Sequence, residues 1–322
     1  MTEPRWTPIA VLAAVVLLFS LPLLTDSNYF IGVAISGLIF LTAAAALNLV
    51  YGYAGLLSFA QLGFWGVGGY CSALAVMDLK RSFWEGVLLA GVVNALLATA
   101  IGIAITRTTR HAFVVVTLTF ALLAALVARD WVDVTRGPLG IPGLPPPRLL
   151  DFAFDTSARF YYIALVYTLL ALAFLYALKS SRIGMVLKAI RQNDPLVESQ
   201  GLSPAPYKLA AFVIAAVITG MAGAIYAFHL KIIDPSFLDF YYMQTFLIIV
   251  IIGGAGSFWA VVLAGAAMVV LPEALRFSNE LRMVIYGVVL VAVMMLMPRG
   301  IAGWLEDRRI AALRKALRKA LR

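Results

Sequence analysis

Hydrophobic residues in the 322-residue chain fall into ten blocks, near 8–24, 30–50, 61–79, 85–105, 111–128, 160–178, 207–228, 241–252, 259–275 and 282–297. A helix crosses a bilayer with about 20 apolar residues, and most blocks approach that length. None shows the apolar-polar alternation of a strand that lines a barrel lumen, which counts against a β-barrel. The pattern predicts an all-α, polytopic integral membrane protein of about ten transmembrane helices. In the first block Leu18-Phe19-Ser20-Leu21-Pro22 offers no small-x-small cleavage site, so it is expected to be an uncleaved helix.

Two places break the pattern in the same way. Gly52-Tyr53-Ala54-Gly55-Leu56-Leu57-Ser58-Phe59 leads into a block with Gly66, and Gly253-Gly254-Ala255-Gly256-Ser257-Phe258 leads into one with Gly265. Each pairs a glycine-rich bend with Ser-Phe and a glycine eight residues after the serine, a weak internal repeat. The block before the second bend has about 12 residues, or roughly 18 Å of helix, too short to cross the hydrocarbon core unaided. Interrupted segments at matching positions in two halves either line a translocation path or let helices pack closely at small residues.

The stretch 129–159 holds four Arg, four Asp and Pro138, Pro142, Pro145, Pro146 and Pro147. It is expected to be a structured external loop, since the prolines forbid a regular helix. The organisation is then a membrane domain over 1–303, with a cytoplasmic loop at 179–206, followed by a tail at 304–322.

Composition agrees: 63% of residues are hydrophobic and 13% charged, which excludes a water-soluble globular protein. The net charge of +9 does not point to nucleic acid, because the Lys and Arg residues sit in short loops and the tail. Lys179, Arg182, Lys188, Arg191 and Lys208, and eight basic residues between Arg299 and Arg322, place those segments and both termini in the cytoplasm. Arg107 and Arg110 then fall inside as well, while Lys80 and Arg81 fall outside, against the rule. Leu313, Leu317 and Leu321 make the tail a basic amphipathic helix for anionic lipid or a partner, or else a solvated tail.

Reacting groups are scarce. One cysteine excludes a disulfide framework and a cysteine-based zinc site, and His111 and His229 stand apart with no acidic ligand pattern. No metal, cofactor or catalytic residue is expected. Neither a P-loop nor G-x-S-x-G occurs, which counts against ATP binding by this chain and against an intramembrane hydrolase. The blocks lack interior ionisable groups for a proton relay, which counts against an ion-coupled secondary carrier. Asn48, Gln61, Asn94, Thr117, Thr119 and Gln244 are the polar residues near membrane depth, each either an interhelical hydrogen bond or a substrate contact. Energy, if used, is expected from another subunit.

The most informative polar stretch is 187–201. Asp194 is a good N-cap, Pro195 suits the first helical position and Gly201 can end a helix in a left-handed conformation. A helix of about six residues cannot be stable alone in water. It is either a capped, solvated connection or a lever pushed by a cytoplasmic motor.

Together these features resemble the permease family of branched-chain amino acid ABC importers. Ala189-Ile190-Arg191 with Asn193 and Gly201 resembles the family's coupling segment. Gly55-Leu56-Leu57-Ser58-Phe59, running to Gly69-Tyr70, is similar to its first glycine motif. Gly253-Gly254-x-Gly256-Ser257 is similar to its second, and Pro298-Arg299-Gly300-Ile301 to its closing motif. Thr135-x-Gly137-x-x-Gly140-Ile141-x-Gly143-Leu144-Pro145 resembles the larger of its two permease types. Gln61 stands where the family often has histidine and Arg136 where it often has glycine, departures that bear on substrate or binding-protein preference.

The resemblance implies a multi-pass protein of the bacterial inner membrane that pairs with a second permease, two ATP-binding subunits and a periplasmic solute-binding protein. It places Arg191, Asn193, Asp194, Glu198 and Gly201 at the motor contact, and Gly55, Ser58, Gln61, Gly253, Gly254, Gly256 and Ser257 along the pathway. The implied cargo is branched-chain or other hydrophobic amino acids. The same architecture also suits urea, short amides or aromatic acids.

Overall fold

The computed structural model describes residues 7–25, 27–105, 108–149, 152–274, 300 and 303. In chain order its main elements are α1 (Thr7–Leu24), α2 (Asn28–Asn48) continued by a π-helical turn (Leu49–Tyr53), α3 (Ala60–Met77), α4 (Phe83–Ile105) and α5 (Arg110–Asp130). Then follow α6 (Val132–Thr135), β1 (Ile141–Pro142), β2 (Arg148–Leu149), β3 (Phe152–Ala153), α7 (Ser157–Ser180), α8 (Arg182–Gln192), α9 (Asp194–Ser199) and α10 (Pro204–Leu230). β4 (Ile232–Ile233), α11 (Phe240–Gly253) and α12 (Phe258–Ala274) complete the described part. Nine of the ten apolar blocks are helices whose ends lie within a few residues of expectation. The block at 282–297 and the tail lie outside the described residues. Asn28–Tyr53, Phe83–Ile105, Arg110–Asp130, Ser157–Ser180 and Pro204–Leu230 are long and apolar enough to cross a membrane by length and composition.

α2 and α10 form the spine. α10 packs along α3 and α4, while α2 contacts α7, α10, α11 and α12. The most apolar window of α2 is 67% buried and that of α5 only 22%, so α2 is enclosed by helices while α5 presents most of its apolar surface outward. Close approach depends on small residues: a side chain on Gly68 would meet the Gly220 backbone, and one on Gly223 would lie 2.9 Å from the Trp65 carbonyl carbon. Phe40, Trp65, Tyr226, Tyr242 and Phe246 pack ring against ring where α2, α3, α10 and α11 meet. Pro22 lies within α1 and lacks the N–H that would bond the Leu18 carbonyl. The Tyr161 hydroxyl from α7 donates to that carbonyl at 2.8 Å.

The loops gather at two ends, as the alternation of spans requires. At one end β1 pairs antiparallel with β4, Ile141 opposite Ile233, and the Gly143 and Leu144 amides donate to the Lys231 carbonyl. Between α5 and α7 the described residues 131–149 and 152–156 form short helical and extended pieces rather than a regular helix, in keeping with the prolines. Gly140 has φ +63° and no room for a side chain, since Asp234 Cα would lie 2.7 Å from a Cβ. Arg136 is left-handed too (φ 62°), which explains physically why glycine suits that position, and it bonds Asp78 at 3.0 Å.

Two outcomes follow from this packing. Gly223→Ala is expected to destabilise the detergent-solubilised protein by about 1–3 kcal/mol through overpacking against backbone. Gly32→Ala, whose nearest neighbour is His229 at 3.8 Å, should stay near wild type in the same thermal unfolding assay, and equal losses would refute the close-approach argument. Arg136→Gly removes about 1–2 kcal/mol of left-handed strain against an exposed ion pair worth about 0–1 and some added chain entropy. Its stability is expected to hold or rise, and a lowered melting temperature would show that the Asp78 pair dominates.

Candidate functional site

The opposite end of the bundle assembles both glycine bends. A helix leaves its last four carbonyls without intrahelical partners, and inside a membrane protein other protein groups must supply them. The π-turn that extends α2 ends at Tyr53, and Gly55 (φ +72°) turns the chain toward α3. α11 ends at Gly253, and Gly254 (φ +96°) and Gly256 (φ +87°) turn the chain toward α12.

These two bends touch. The Asn48 side chain accepts from the Gly256 amide at 2.9 Å and donates to the Ser257 carbonyl at 3.4 Å. A side chain on Gly52 would collide with both Asn48 and Gly256, and one on Gly300 (φ +65°) would come within 2.5 Å of the Gly254 amide nitrogen. Nη1 of Arg191, from the end of α8, donates to the Gly52 carbonyl and to the Ala255 carbonyl, the latter at 3.0 Å. Gly55 packs on the same side chain, with Arg191 Cγ 2.8 Å from where a Cβ would stand.

Gly55, Gly253, Gly254, Gly256 and Ser257 therefore meet at one place, together with Arg191. Ser58 and Gln61 follow the first bend and are both fully buried. Gln61 is fully buried between α3 and α10, where Oε1 accepts from Thr219 Oγ1 at 2.6 Å and Nε2 has no partner. Ser58 is buried with its hydroxyl unpaired. Thr117 of α5 receives the Phe59 amide at 3.3 Å, and Gln244 stands exposed on α11.

The short helix forms as expected, over Asp194–Ser199, but its cap is one residue earlier. Asn193, in an extended conformation, accepts from the Leu196 amide at 3.3 Å, so Asn193 rather than Asp194 is the N-cap and Pro195 is the second helical residue. The Asp194 carboxylate is drawn elsewhere: Oδ2 pairs with Lys208 Nζ at 2.6 Å, and Oδ1 lies 3.6 Å from Arg110 Nη2. Lys208 is only 8% exposed, and a buried ammonium without a partner carries a heavy desolvation cost. Arg110 also donates to the Ile190 and Arg191 carbonyls at 3.2 Å each, capping α8. Gly201 (φ +80°) ends the unit in open space.

Val197 is the buried anchor of α9, whereas Glu198 is exposed and Leu196 is 59% exposed. A cavity of about 540 Å³ opens beside α9, lined by Ile103, Thr108, Asp194, Glu198, Lys208 and Leu209 among others. In the sequence Arg110 and Lys208 register only as topological charges. The one local signal for Lys208 was a cation at the edge of an apolar block. Among the described residues no group of three or more His, Cys, Asp or Glu could hold a metal ion.

Comparison with known proteins bears directly on this arrangement. Residues 29–294 match the family model described as branched-chain amino acid transport system / permease component. The high-affinity branched-chain amino acid transport system permease protein LivM of Salmonella typhimurium is 30% identical over 294 residues, covering 84% of this chain and 69% of LivM. LivM of Escherichia coli is 29% identical over the same shares. The permease protein LivH of Salmonella typhimurium is 25% identical over 287 residues, covering 83% of this chain and 92% of LivH. No solved structure matches. The family match spans both glycine bends and the segment that carries Arg191, and the chain belongs to the family of branched-chain amino acid transport permease components.

Proposed function

We propose that the chain forms one half of the membrane pathway of an ABC importer for branched-chain or other hydrophobic amino acids. It works beside a second permease, is driven by separate ATP-binding subunits and takes substrate from a periplasmic solute-binding protein. Both termini and the 179–206 loop face the cytoplasm on this reading, as the Lys and Arg distribution requires. Residues 1–303 are the permease domain and 304–322 a tail for lipid or a partner.

One observation carries the proposal. A six-residue helix has too few hydrogen bonds to hold itself together, yet α9 is ordered between two long helices. It is pinned on its inner side by Val197 and the Asp194–Lys208 pair, and it presents Leu196 and Glu198 outward. An apolar side chain left uncovered on a small, rigidly braced helix suits a motor subunit that must push and be pushed. Asn193, Asp194 and Gly201 shape the lever, while Leu196 and Glu198 meet the motor. The glycine bends, with Ser58, Gln61 and Ser257, shape the pathway.

The test is affinity purification from native membranes, followed by reconstitution of the co-purified complex in liposomes. An ATP-binding subunit and a second permease are expected in near-stoichiometric amounts, with ATP-dependent leucine uptake that urea does not compete. A chain that purifies alone and transports under an ion gradient without ATP would replace this reading with a secondary carrier.

A double-mutant cycle addresses the lever itself. Asp194→Asn and Lys208→Met are each expected to speed proteolysis between residues 193 and 203, with a coupling energy of about 1–3 kcal/mol, reduced from a fully buried pair because Asp194 is 26% exposed. Additive effects would mean that the ion pair does not brace α9.

A further inference from the structure

We infer that Arg191 is a positioning residue that clamps both glycine bends to the coupling helix, so that one displacement of α9 reaches both halves of the internal repeat together. The inference rests on the importer reading above and adds to it the physical link through which the lever acts.

α2 with its π-turn and α11 both finish at this end of the bundle, and each presents unpaired carbonyls and the negative end of its dipole. A cation placed between them serves both. Arg191 occupies that place, with one guanidinium nitrogen bonded to Gly52 of the first bend and Ala255 of the second. Glycines at 55 and 256 are what let it in, since a side chain at either would occupy the space of the arginine. Lys188 adds a second contact from α8, its Nζ standing 5.3 Å from the centre of the Tyr53 ring on the π-turn.

The link continues toward α9 without slack. Arg191 is separated from Asp194 by two residues, and the carbonyl of Arg191 is itself held by Arg110, which also faces Asp194. Asn48 already joins the two bends to one another, so their mutual packing does not need the arginine. What Arg191 adds is the connection from the joined bends to α8 and α9. Its side chain is exposed rather than sealed in the core, so its bonds can be broken and remade as the bundle moves. Arg191 thus turns inward, toward the bends, and the outward surface of α9 is left to Leu196 and Glu198.

The experiment uses the co-purified complex in liposomes and reads ATP hydrolysed per leucine imported, together with the amount of assembled complex. For Arg191→Ala, assembly and ATP hydrolysis are expected to stay within about twofold of wild type while import falls about tenfold or more, as loss of a charged double contact implies. Arg191→Lys restores a cation of shorter reach and is expected to give an intermediate ratio, about two- to fivefold above wild type. Import by Arg191→Ala at the wild-type level per complex overturns the clamp. So does a fall of hydrolysis and import in equal proportion, which is what a merely structural role predicts. If the alanine variant does not assemble, Arg191→Lys decides, and an unchanged ratio overturns the inference. A wild-type complex that imports nothing with ATP overturns the importer reading and the clamp with it, a result distinct from a loss confined to the variants.

Discussion

Backbone carbonyls that lose their helical partners within a membrane protein must find another donor, and the end of this bundle that carries both glycine bends is organised around that requirement. Two helices stop short at glycine bends, where Arg191 donates to a carbonyl of each bend and Asn48 bonds the Gly256 amide and the Ser257 carbonyl. Gly55, Gly254 and Gly256 adopt positive φ, and a side chain at Gly52 or Gly256 would strike the backbone of the other bend. The same constraint governs α1, where the carbonyl freed by Pro22 is taken by the Tyr161 hydroxyl.

The basic residues at this end do two kinds of work. By number they are what the proposed orientation in the membrane rests on, and individually they cap helix ends. Arg110 closes α8, Arg191 takes the Gly52 carbonyl at the end of α2 and the Ala255 carbonyl of the second bend, and Lys208 fixes the first residue of α9 through Asp194. A run of charges that reads as topology in one dimension is a network of specific contacts in three. Because the network ends on a short, partly uncovered helix, a force applied to that helix has a route into the bundle.

The other end solves a different problem with similar means. The proline-rich loop cannot form a helix, so it satisfies its backbone by pairing β1 with β4 and by bonding to Lys231. Gly140 is indispensable to that contact, whereas Arg136 shows the loop accepting a left-handed arginine in exchange for the ion pair with Asp78. The substitution is thus compatible with an unchanged loop path.

Helix positions, the two bends, the structured loop and the six-residue helix were legible in the sequence because each depends on local properties: apolar length, proline, glycine and capping residues. The cap of α9 was misplaced by one because Asp194 and Asn193 are equally good caps locally, and only Lys208, distant until α10 folds back, draws the aspartate away. Gln61 follows the first bend in sequence, yet α3 carries it into contact with Thr219 of α10, a pairing that nothing local announces. The sequence by itself determined that this is a bundle of membrane helices interrupted twice in the same way. Tertiary structure alone decided that the two interruptions touch and that Arg191 bonds both, since a hydrogen bond between segments far apart in the chain depends on how whole helices pack and leaves no periodic trace in either one.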